Sequence, residues 1–355
     1  MPRALLDEAA VARVDRGGLR DIIASMPDQL LDGFRLGTGT HADTSKAERV
    51  FLAGMGGSAI AGDIFRSWAT NRARLPIQVV RDYRLPSYAT PGDVLVAVSY
   101  SGTTEETLAA TAQAVKLGCR IVAVTSGGRL AALVQEAGGP TIRVPPGLPP
   151  RGAFGLLFGI LAAVGEEWVY GDLRGELERA VVHLKDLRGR LGPSVPLATN
   201  RAKALAKRLR NRTPVVYAAP PLTAVAKRWQ TQLNENAKVL AFASEFPEAD
   251  HNEIVGWCSD ASARRFVPIM LRDADETPEM RHRLDVTEGL VGRHARVDRI
   301  EDDDDELLGR LLGLLFLGDY VSLYLAALRG VDPTPVKAID ELKARLAAPA
   351  RRRKK

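Results

Sequence analysis

The amino-acid sequence predicts an α/β fold made of two subdomains, each a parallel sheet flanked by helices. Short apolar runs alternate with helical patterns between residues 48 and 147, which is typical of βαβ units. A second series begins near Val215, where a strand, small residues and a helix follow one another as they do near Val50. At 355 residues, the chain is long enough for two domains of ordinary size.

The first half contains helices followed by five predicted strands. Residues 1–35 are predicted to form a helical extension ahead of the first strand. Each later strand is a short apolar run, separated from the next by a helical or loop segment. The predicted strands are 48–54, 75–83, 93–99, 119–126 and, at an edge of the sheet, 140–147.

The second half repeats this pattern after a Pro- and Gly-rich segment. That segment, PPGLPPRGAFG (145–155), predicts a hinge. Strands are predicted at 213–220 and 264–273, with one long helix over 222–242 between them. The predicted organisation is a helical extension (1–35), a first subdomain (36–150), linker helices (151–195), a second subdomain with C-terminal helices (196–346) and a basic tail (347–355).

The most apolar segment, residues 307–328, is predicted to be a buried helix. Arg310 and Asp319 interrupt it before it reaches the ~20 apolar residues needed to span a bilayer, so no membrane association is expected. The acidic run EDDDDE (301–306) precedes it and is predicted to be a solvated loop that favours the helix N-terminus.

Charge and cysteine usage limit the partners and the compartment. The net charge is +6, but the last five residues, RRRKK, carry five of the positive charges. Small anionic metabolites fit this balance as well as nucleic acid does, and no nucleic-acid partner is expected. Cys119 and Cys258 are predicted to be free thiols, and the N-terminus lacks the apolar core of a signal peptide, so a cytoplasmic protein is expected.

The turn after the first strand is rich in glycine. Residues Gly54 to Ala59 match G-x-G-x-x-A, a dinucleotide-binding pattern, and Asp82 follows the second strand where it could bind a ribose. A packing turn without a ligand explains the same glycines. This turn therefore leaves both interpretations open.

The turn after the third strand is crowded with hydroxyl groups. VSYSGTTEET (98–107) runs from a strand into a helix. Helix N-termini favour anions, and hydroxyls add neutral donors that can surround phosphate oxygens. Helix capping alone would explain one or two hydroxyls but not four. The predicted phosphate-binding residues are Ser99, Ser101, Thr103 and Thr104, with Gly56, Gly57 and Ser58 of the first turn.

These two turns together resemble a sugar isomerase (SIS) domain, a phosphosugar-binding module. In the second half, NENAK (234–238) and EFPEADHNEIVGW (245–257) resemble the bifunctional phosphoglucose/phosphomannose isomerase family, and GVDPTPVKAIDELK (330–343) is similar to its C-terminus. The resemblance covers about residues 20 to 346. It implies interconversion of glucose 6-phosphate, and of mannose 6-phosphate, with fructose 6-phosphate through a cis-enediolate.

The resemblance also implies roles for individual residues. Glu235 corresponds to the base that carries a proton between C1 and C2, and His251 to the acid/base that opens the sugar ring. In this family the histidine comes from the partner subunit, which implies a homodimer. Arg151 corresponds to the arginine that stabilises the enediolate.

At the C-terminus, the family supplies a lysine that helps ring opening and a threonine beside the sugar. Thr334 and Lys337 are the nearest matches, with Lys343 as an alternative lysine. No cofactor is expected, and no cluster of histidine, cysteine and carboxylate has zinc-ligand spacing, so no metal is expected.

Three other functions compete with this one. A regulatory phosphosugar sensor would keep the phosphate site but need neither Glu235 nor His251. An NAD-dependent dehydrogenase would use the G-x-G-x-x-A turn but leave the hydroxyl cluster unexplained. An amidotransferase-type isomerase would bring an N-terminal glutaminase with a leading cysteine, which this sequence does not have.

Overall fold

The computed structural model describes residues 6–347, and its first sheet is parallel throughout, as predicted. The order is β2-β1-β3-β4-β5, which places β5 at an edge, where the sequence predicted it. All the residues of β1 and β3 are buried, because helices cover both faces of the sheet. The strands are β1 (Val50–Ala53), β2 (Ile77–Val80), β3 (Val94–Val98), β4 (Arg120–Thr125) and β5 (Thr141–Arg143).

Seven of the helices in the described residues belong to this half of the chain. Two of them, α3 and α7, pack closely, because glycines such as Gly33 and Gly159 let their backbones approach each other. Every residue of α7 is buried. The helices are α1 (Glu8–Val14), α2 (Leu19–Ala24), α3 (Met26–Gly37), α4 (Gly56–Ala69), α5 (Glu105–Leu117), α6 (Gly128–Glu136) and α7 (Phe154–Gly165).

The second sheet is also parallel, in the order β7-β6-β8-β9. Its strands are β6 (Thr213–Ala218), β7 (Phe242–Glu245), β8 (Phe266–Leu271) and β9 (Asp298–Ile300). The helices of this half are α8 (Leu173–Leu191), α9 (Arg201–Leu209), α10 (Thr223–Glu235), α11 (Glu253–Ser259), α12 (Pro278–Val291), α13 (Leu307–Arg329) and α14 (Lys337–Ala347).

The single helix predicted over 222–242 is wrong in its second part. Helix α10 ends at Glu235, Lys238 has a positive φ of 55°, and the chain then forms β7. A positive φ is incompatible with a continuing right-handed helix. Strand β9 was not predicted. Both missed strands lie at sheet edges and are too short and too polar to give an apolar run.

The prediction of a buried helix near the C-terminus is confirmed. Helix α13 is long and apolar enough to cross a membrane, but the whole of its most apolar stretch is buried inside the protein. It packs against α8, α9 and α10. Its two charges are paired, Arg310 with Asp273 at 2.6 Å and Asp319 with Arg228 at 2.6 Å. These pairs explain how both charged residues are accommodated in the core.

The acidic run before α13 is only partly the solvated loop that was predicted. Asp302 is buried, and its carboxylate lies 2.8 Å from Nε2 of His183 on α8. A Cβ at Gly313 would overlap the Asp302 carboxylate and His183, so only glycine permits this approach. Burial lowers the pKa of the His183 imidazole, but the carboxylates of Asp302, Asp304 and Asp303 outweigh it and raise the pKa above its ordinary value.

This pair predicts a pH-dependent contribution to stability. Because the folded-state pKa of His183 is raised, the pair stabilises the fold fully below the unfolded-state pKa and loses its effect as the pH rises through the folded-state pKa. Substitution of His183 by Gln should lower the free energy of unfolding by roughly 1–3 kcal/mol at pH 5.5. The loss should be smaller at pH 9, as measured by urea denaturation.

The matched control is His41→Gln. His41 also lies close to a carboxylate, that of Glu167 at 2.7 Å, but its side chain is 80% exposed. Exposed pairs contribute little, so this change should cost less than about 1 kcal/mol at either pH. An equal loss at both pH values for His183→Gln would contradict the account.

Candidate active site

The two turns singled out in the sequence lie side by side in the structure. They follow β1 and β3, which are neighbours in the sheet. The chain leaves β1 toward β2 on one side and β3 toward β4 on the other, so the carboxyl ends of β1 and β3 form a topological switch point. Ligands of open α/β sheets bind at such points. The turns touch where Ser58 Oγ accepts a hydrogen bond from the Tyr100 amide at 3.4 Å.

The hydroxyl groups of the loop after β3 lie close to one another. Ser99 Oγ and Thr104 Oγ1 are 2.9 Å apart, and Ser101 Oγ and Thr103 Oγ1 are 3.1 Å apart. Thr104 is the N-cap residue of α5, yet its side chain makes no capping hydrogen bond. The Thr104 hydroxyl bonds to Ser99 near the N-terminus of the helix, so capping does not explain its presence.

Tyr100 holds this loop in place. Its buried hydroxyl donates to the carbonyl of Pro145 at 2.7 Å and accepts from the amide of Leu148 at 2.9 Å. Its carbonyl accepts a hydrogen bond from Ser126 Oγ at 2.7 Å. The loop is thereby fixed to the segment that was predicted to be a hinge. A preorganised loop loses little conformational entropy when it binds a ligand.

The predicted hinge segment is packed between the two halves of the chain. Pro150–Ala153 forms a 3₁₀ turn, and Arg151 is only 4% exposed. A Cβ at Gly57 would lie 2.8 Å from the Pro150 carbonyl oxygen and 2.9 Å from Arg151 Cα. Glycine is therefore needed at position 57 so that the first turn can lie directly against Arg151.

The guanidinium of Arg151 connects this turn to the second half of the chain. Nε donates to Asn236 Oδ1 at 2.7 Å, and Nη2 donates to the carbonyls of Pro333 and Thr334, both at 2.8 Å. Nη1 lies 3.5 Å from Glu235 Oε2. Of the five N–H donors of an arginine, three are used in these hydrogen bonds and the two on Nη1 remain, on the side of Glu235.

The charge of Arg151 is retained despite its burial. Burial lowers the pKa of the guanidinium, the carboxylate of Glu235 opposes this, and neighbouring Arg228 lowers the pKa further. An arginine nevertheless stays protonated at neutral pH, because its ordinary pKa is so high. The site therefore combines a fixed positive charge with the partly exposed side chain of Glu235.

A second layer of polar groups holds these residues. Asn236 Nδ2 donates to Ser322 Oγ at 2.9 Å, and Ser322 Oγ donates to the Asp319 carbonyl at 2.7 Å. Arg228 pairs with the Asp319 carboxylate and donates to the Arg151 carbonyl at 3.2 Å. Buried polar groups that are fully paired in this way fix side-chain orientation.

Sequence reasoning missed the role of Lys238. In the sequence, Lys238 is only one of the residues of NENAK (234–238). Its ammonium group donates to the carbonyls of Glu235, Pro333 (3.2 Å) and Pro335 (2.7 Å). Burial, and then the charge of Arg151, lower its pKa. Lys238 thus ties the end of α10 to the C-terminal loop, and only its place within NENAK could have indicated this.

The other predicted site residues lie around this centre or apart from it. The Thr334 carbonyl contacts Arg151, while its Oγ1 is buried and has no hydrogen-bond partner among residues 6–347. His251 ends a 3₁₀ turn (Glu248–His251) and is exposed, and Lys337 begins α14 and is also exposed. Within the described chain, neither makes a hydrogen bond or ion pair with Glu235 or Arg151.

Exposed apolar side chains lie on α11 and near β7, the elements that contact the 3₁₀ turn of His251. Val255 on α11 is 64% exposed, and Leu240 and Phe242, at the edge of the second sheet, are also exposed. A groove of about 480 Å³ runs between β7 and α11 and is lined in part by Phe242 and Trp257. Helix α14 exposes Ile339, Leu342 and Leu346.

One group of three possible metal ligands is close together in the part of the chain that the structure describes. It consists of His183, Asp302 and Asp303. The ion pairs of His183 with the acidic run account for this group, and its residues belong to α8 and the loop before α13. None of these residues belongs to the turns at the switch point.

Family comparison covers most of the chain. The model for the SIS domain matches residues 44–137, and the model for the bacterial phospho-glucose isomerase C-terminal SIS domain matches residues 198–346. A bifunctional phosphoglucose/phosphomannose isomerase of Caldicellulosiruptor bescii is 38% identical over 92% of this chain and 98% of its own length. The enzyme of the same name from Thermoplasma acidophilum is 36% identical over 92% and 96%.

A solved structure supports the fold alone. A hypothetical protein of Thermus thermophilus superimposes with a TM-score of 0.71 over 96% of this chain and 93% of its own, at 16% sequence identity.

The contact between the first turn and Arg151 gives a testable prediction. Gly57→Ala places a Cβ against backbone atoms that cannot rotate away, so the free energy of unfolding should fall by about 1–3 kcal/mol. Affinity for a hexose phosphate should fall as well, because the turn must shift. Chemical denaturation and calorimetry measure the two effects.

Gly189→Ala is the matched control. Gly189 lies in α8 and a Cβ there meets nothing within 4 Å, so this change should raise stability by about 0.5–1 kcal/mol. Full stability and affinity in Gly57→Ala would show that the turn does not depend on its contact with Arg151.

Proposed function

Because the chain belongs to the bifunctional phosphoglucose/phosphomannose isomerase family, we propose that it interconverts glucose 6-phosphate and mannose 6-phosphate with fructose 6-phosphate. This makes it an aldose–ketose isomerase, an intramolecular oxidoreductase. The observation that carries the proposal is the junction at Arg151. Its backbone lies against the glycine turn at Gly57 and its side chain lies beside Glu235, so one connection links the proposed phosphate site to the proposed base.

The substrate phosphate binds at the carboxyl ends of β1 and β3. Ser99, Ser101, Thr103 and Thr104 supply hydroxyl donors, and the N-terminus of α5 supplies backbone amides. Gly56, Gly57 and Ser58 form the opposite wall. A phosphate held there anchors one end of the sugar and leaves C1 and C2 to reach toward Glu235.

Proton transfer by Glu235 explains how one site can accept two epimers. The carboxylate takes the proton from C2 of the open-chain aldose, and the resulting enediolate carries negative charge at O1. Protonation of C1 by the same carboxyl, with transfer of the O2 proton to O1, gives the ketose. Glucose 6-phosphate and mannose 6-phosphate differ only at C2, which becomes planar in the enediolate, so both lead to the same intermediate.

Arg151 stabilises that intermediate electrostatically. The two N–H donors left on Nη1 lie on the Glu235 side of the guanidinium, where the enediolate would form. The remaining donors are held by the protein, so the charge does not have to reorganise during the reaction. Thr334 would contact the sugar, and Lys337 or Lys343 would assist ring opening.

His251 acts from the partner subunit of a homodimer. Its imidazole would pass protons between O1 and O5 to open the ring. Three features support this arrangement: His251 is exposed, it makes no hydrogen bond or ion pair with Glu235 within its own chain, and exposed apolar residues lie on α11 and β7, which contact its 3₁₀ turn. Burial of Val255, Phe242 and the apolar face of α14 between two copies would remove this surface from water.

The reaction needs no cofactor, and a cytoplasmic enzyme without nucleic-acid or membrane partners fits hexose phosphate chemistry. A sensor that only binds phosphosugars would need the hydroxyl loop but not the paired Arg151 and Glu235. No observation on this chain favours that second function.

Substitution of Glu235 by Gln tests the base directly. Gln is isosteric but cannot accept the C2 proton, so isomerisation should fall by at least about 100-fold. Affinity for fructose 6-phosphate, measured by calorimetry, should change little because the phosphate site is intact. The control is Glu136→Gln at the exposed end of α6, which should leave activity unchanged. Normal turnover in Glu235→Gln would remove Glu235 as the base.

Mixed dimers test whether the site is shared. Glu235→Gln and His251→Ala should each be inactive alone. When the two are unfolded together and refolded as an equal mixture, half of the dimers contain one copy of each, and each such dimer has one intact site. Activity should return to roughly a quarter of the wild-type value. No recovery, with dimers present by sedimentation, would place His251 in the site of its own chain.

A further inference from the structure

A cationic cavity lies at the end of the second sheet opposite to the carboxyl ends of its strands. Its volume is about 460 Å³, within the usual range for small-molecule sites. It is formed where α9 leads into β6, where β8 begins and where the chain approaches β9. The lining residues are Arg208, Arg212, Arg264, Phe266, His294 and Arg296, together with Val267 and Ala295.

This cavity is separate from the isomerase site. The strands of the second sheet are parallel, so their amino ends lie at one edge and their carboxyl ends at the other. Arg212 directly precedes β6 and Arg264 lies just before β8, which places the cavity at the amino edge. Helix α10, which carries Glu235, begins beyond the carboxyl end of β6. None of the lining residues has a part in the proposed reaction.

Two of the four arginines are held in fixed positions. Arg212 Nη1 donates to the Arg264 carbonyl at 2.7 Å, which ties the chain before β6 to the chain before β8. Arg208 pairs with Asp298 Oδ1 at 2.5 Å, at the start of β9. The cavity wall is thus built by contacts between three separate segments and is not a chance meeting of long side chains.

The positive charge of the cavity is not balanced by the protein. Arg208 has Asp298 as its partner, whereas no carboxylate within residues 6–347 lies in ion-pair range of Arg212, Arg264 or Arg296. Three guanidinium charges therefore remain in excess. Arg212, Arg264 and Arg296 are exposed, whereas the buried Arg272 of this half is matched by Glu276, Asp285 and Glu288.

Like charges are close enough to affect one another. Burial lowers the pKa of Arg208, Asp298 opposes this, and Arg296 and Arg212 then lower the pKa further. Such repulsion costs folding free energy, and a bound anion would relieve it. Guanidinium groups also match phosphate oxygens in geometry, since each can donate two parallel hydrogen bonds.

We propose that this cavity binds a small molecule that carries a chain of linked phosphates. Three excess charges exceed the two that a phosphate monoester carries, so a hexose phosphate would leave the cavity partly unmatched. A di- or triphosphate chain would neutralise it. Both nucleoside triphosphates and inorganic oligophosphates have this chemistry, and the test distinguishes them.

Calorimetry on the full chain tests the proposal, with inorganic tripolyphosphate as the probe. Saturating fructose 6-phosphate is present throughout, so that the hydroxyl loop is occupied. We expect one site per chain, and Arg264→Ala/Arg296→Ala should weaken binding at least about 30-fold, since two charge-assisted contacts are lost. The matched control, Arg210→Ala/Arg265→Ala, removes equal charge from exposed neighbours outside the cavity and should weaken binding no more than about threefold.

Two further measurements complete the test. Binding should weaken steeply when salt is raised, because the attraction is ionic. Titration with ATP in place of tripolyphosphate identifies the kind of ligand: tighter binding of ATP indicates a nucleotide, and weaker binding indicates an inorganic phosphate chain.

Both double variants should keep isomerase activity, so failure of the cavity proposal is distinguishable from failure of the isomerase proposal. Absence of binding to the wild type, or equal loss in the two double variants, would overturn the proposal.

Discussion

The buried guanidinium of Arg151 is the interaction on which the site depends. The backbone of Arg151 lies against the glycine turn of the first half, and its guanidinium bonds to Asn236, Pro333 and Thr334 of the second. A buried cation is costly unless it is paired and hydrogen-bonded, and three of the five Arg151 donors are bonded to neutral groups of the second half. The same contacts that stabilise the junction therefore fix the position of Glu235 relative to the glycine turn.

Paired charges extend this junction into the core. Arg228 bonds to the Arg151 carbonyl and to Asp319 in the middle of α13, while Asn236 reaches the same helix through Ser322. Lys238 adds a second tie, from the end of α10 to the C-terminal loop. Glu235 is consequently placed at a helix end that is held from three directions. Such support is what a base needs if it is to stay in line with both C1 and C2.

The sequence predicted the features that depend on local patterns of residues. Apolar runs predicted the first sheet, and the two turns singled out in the sequence lie at its switch point, where anion binding by residues 99–104 stays a prediction. The sequence did not predict the features whose structure depends on tertiary contacts. Strands β7 and β9 are short edge strands without an apolar run, and the positive φ of Lys238 ended a helix that propensity would have continued. Burial of Asp302 depends on His183, which is remote in the sequence, and on Gly313, which has no side chain to block the approach. The contacts of Lys238 likewise require residues almost a hundred positions away.

The central claim is that this site isomerises both epimers of a hexose phosphate. The most direct measurement follows fructose 6-phosphate formation from glucose 6-phosphate and from mannose 6-phosphate in parallel, with purified, chelator-treated protein. The account predicts turnover of both, since the enediolate held between Arg151 and Glu235 is common to them. Turnover of neither, by protein that still binds fructose 6-phosphate in calorimetry, would contradict it and leave a phosphosugar-binding protein without catalysis.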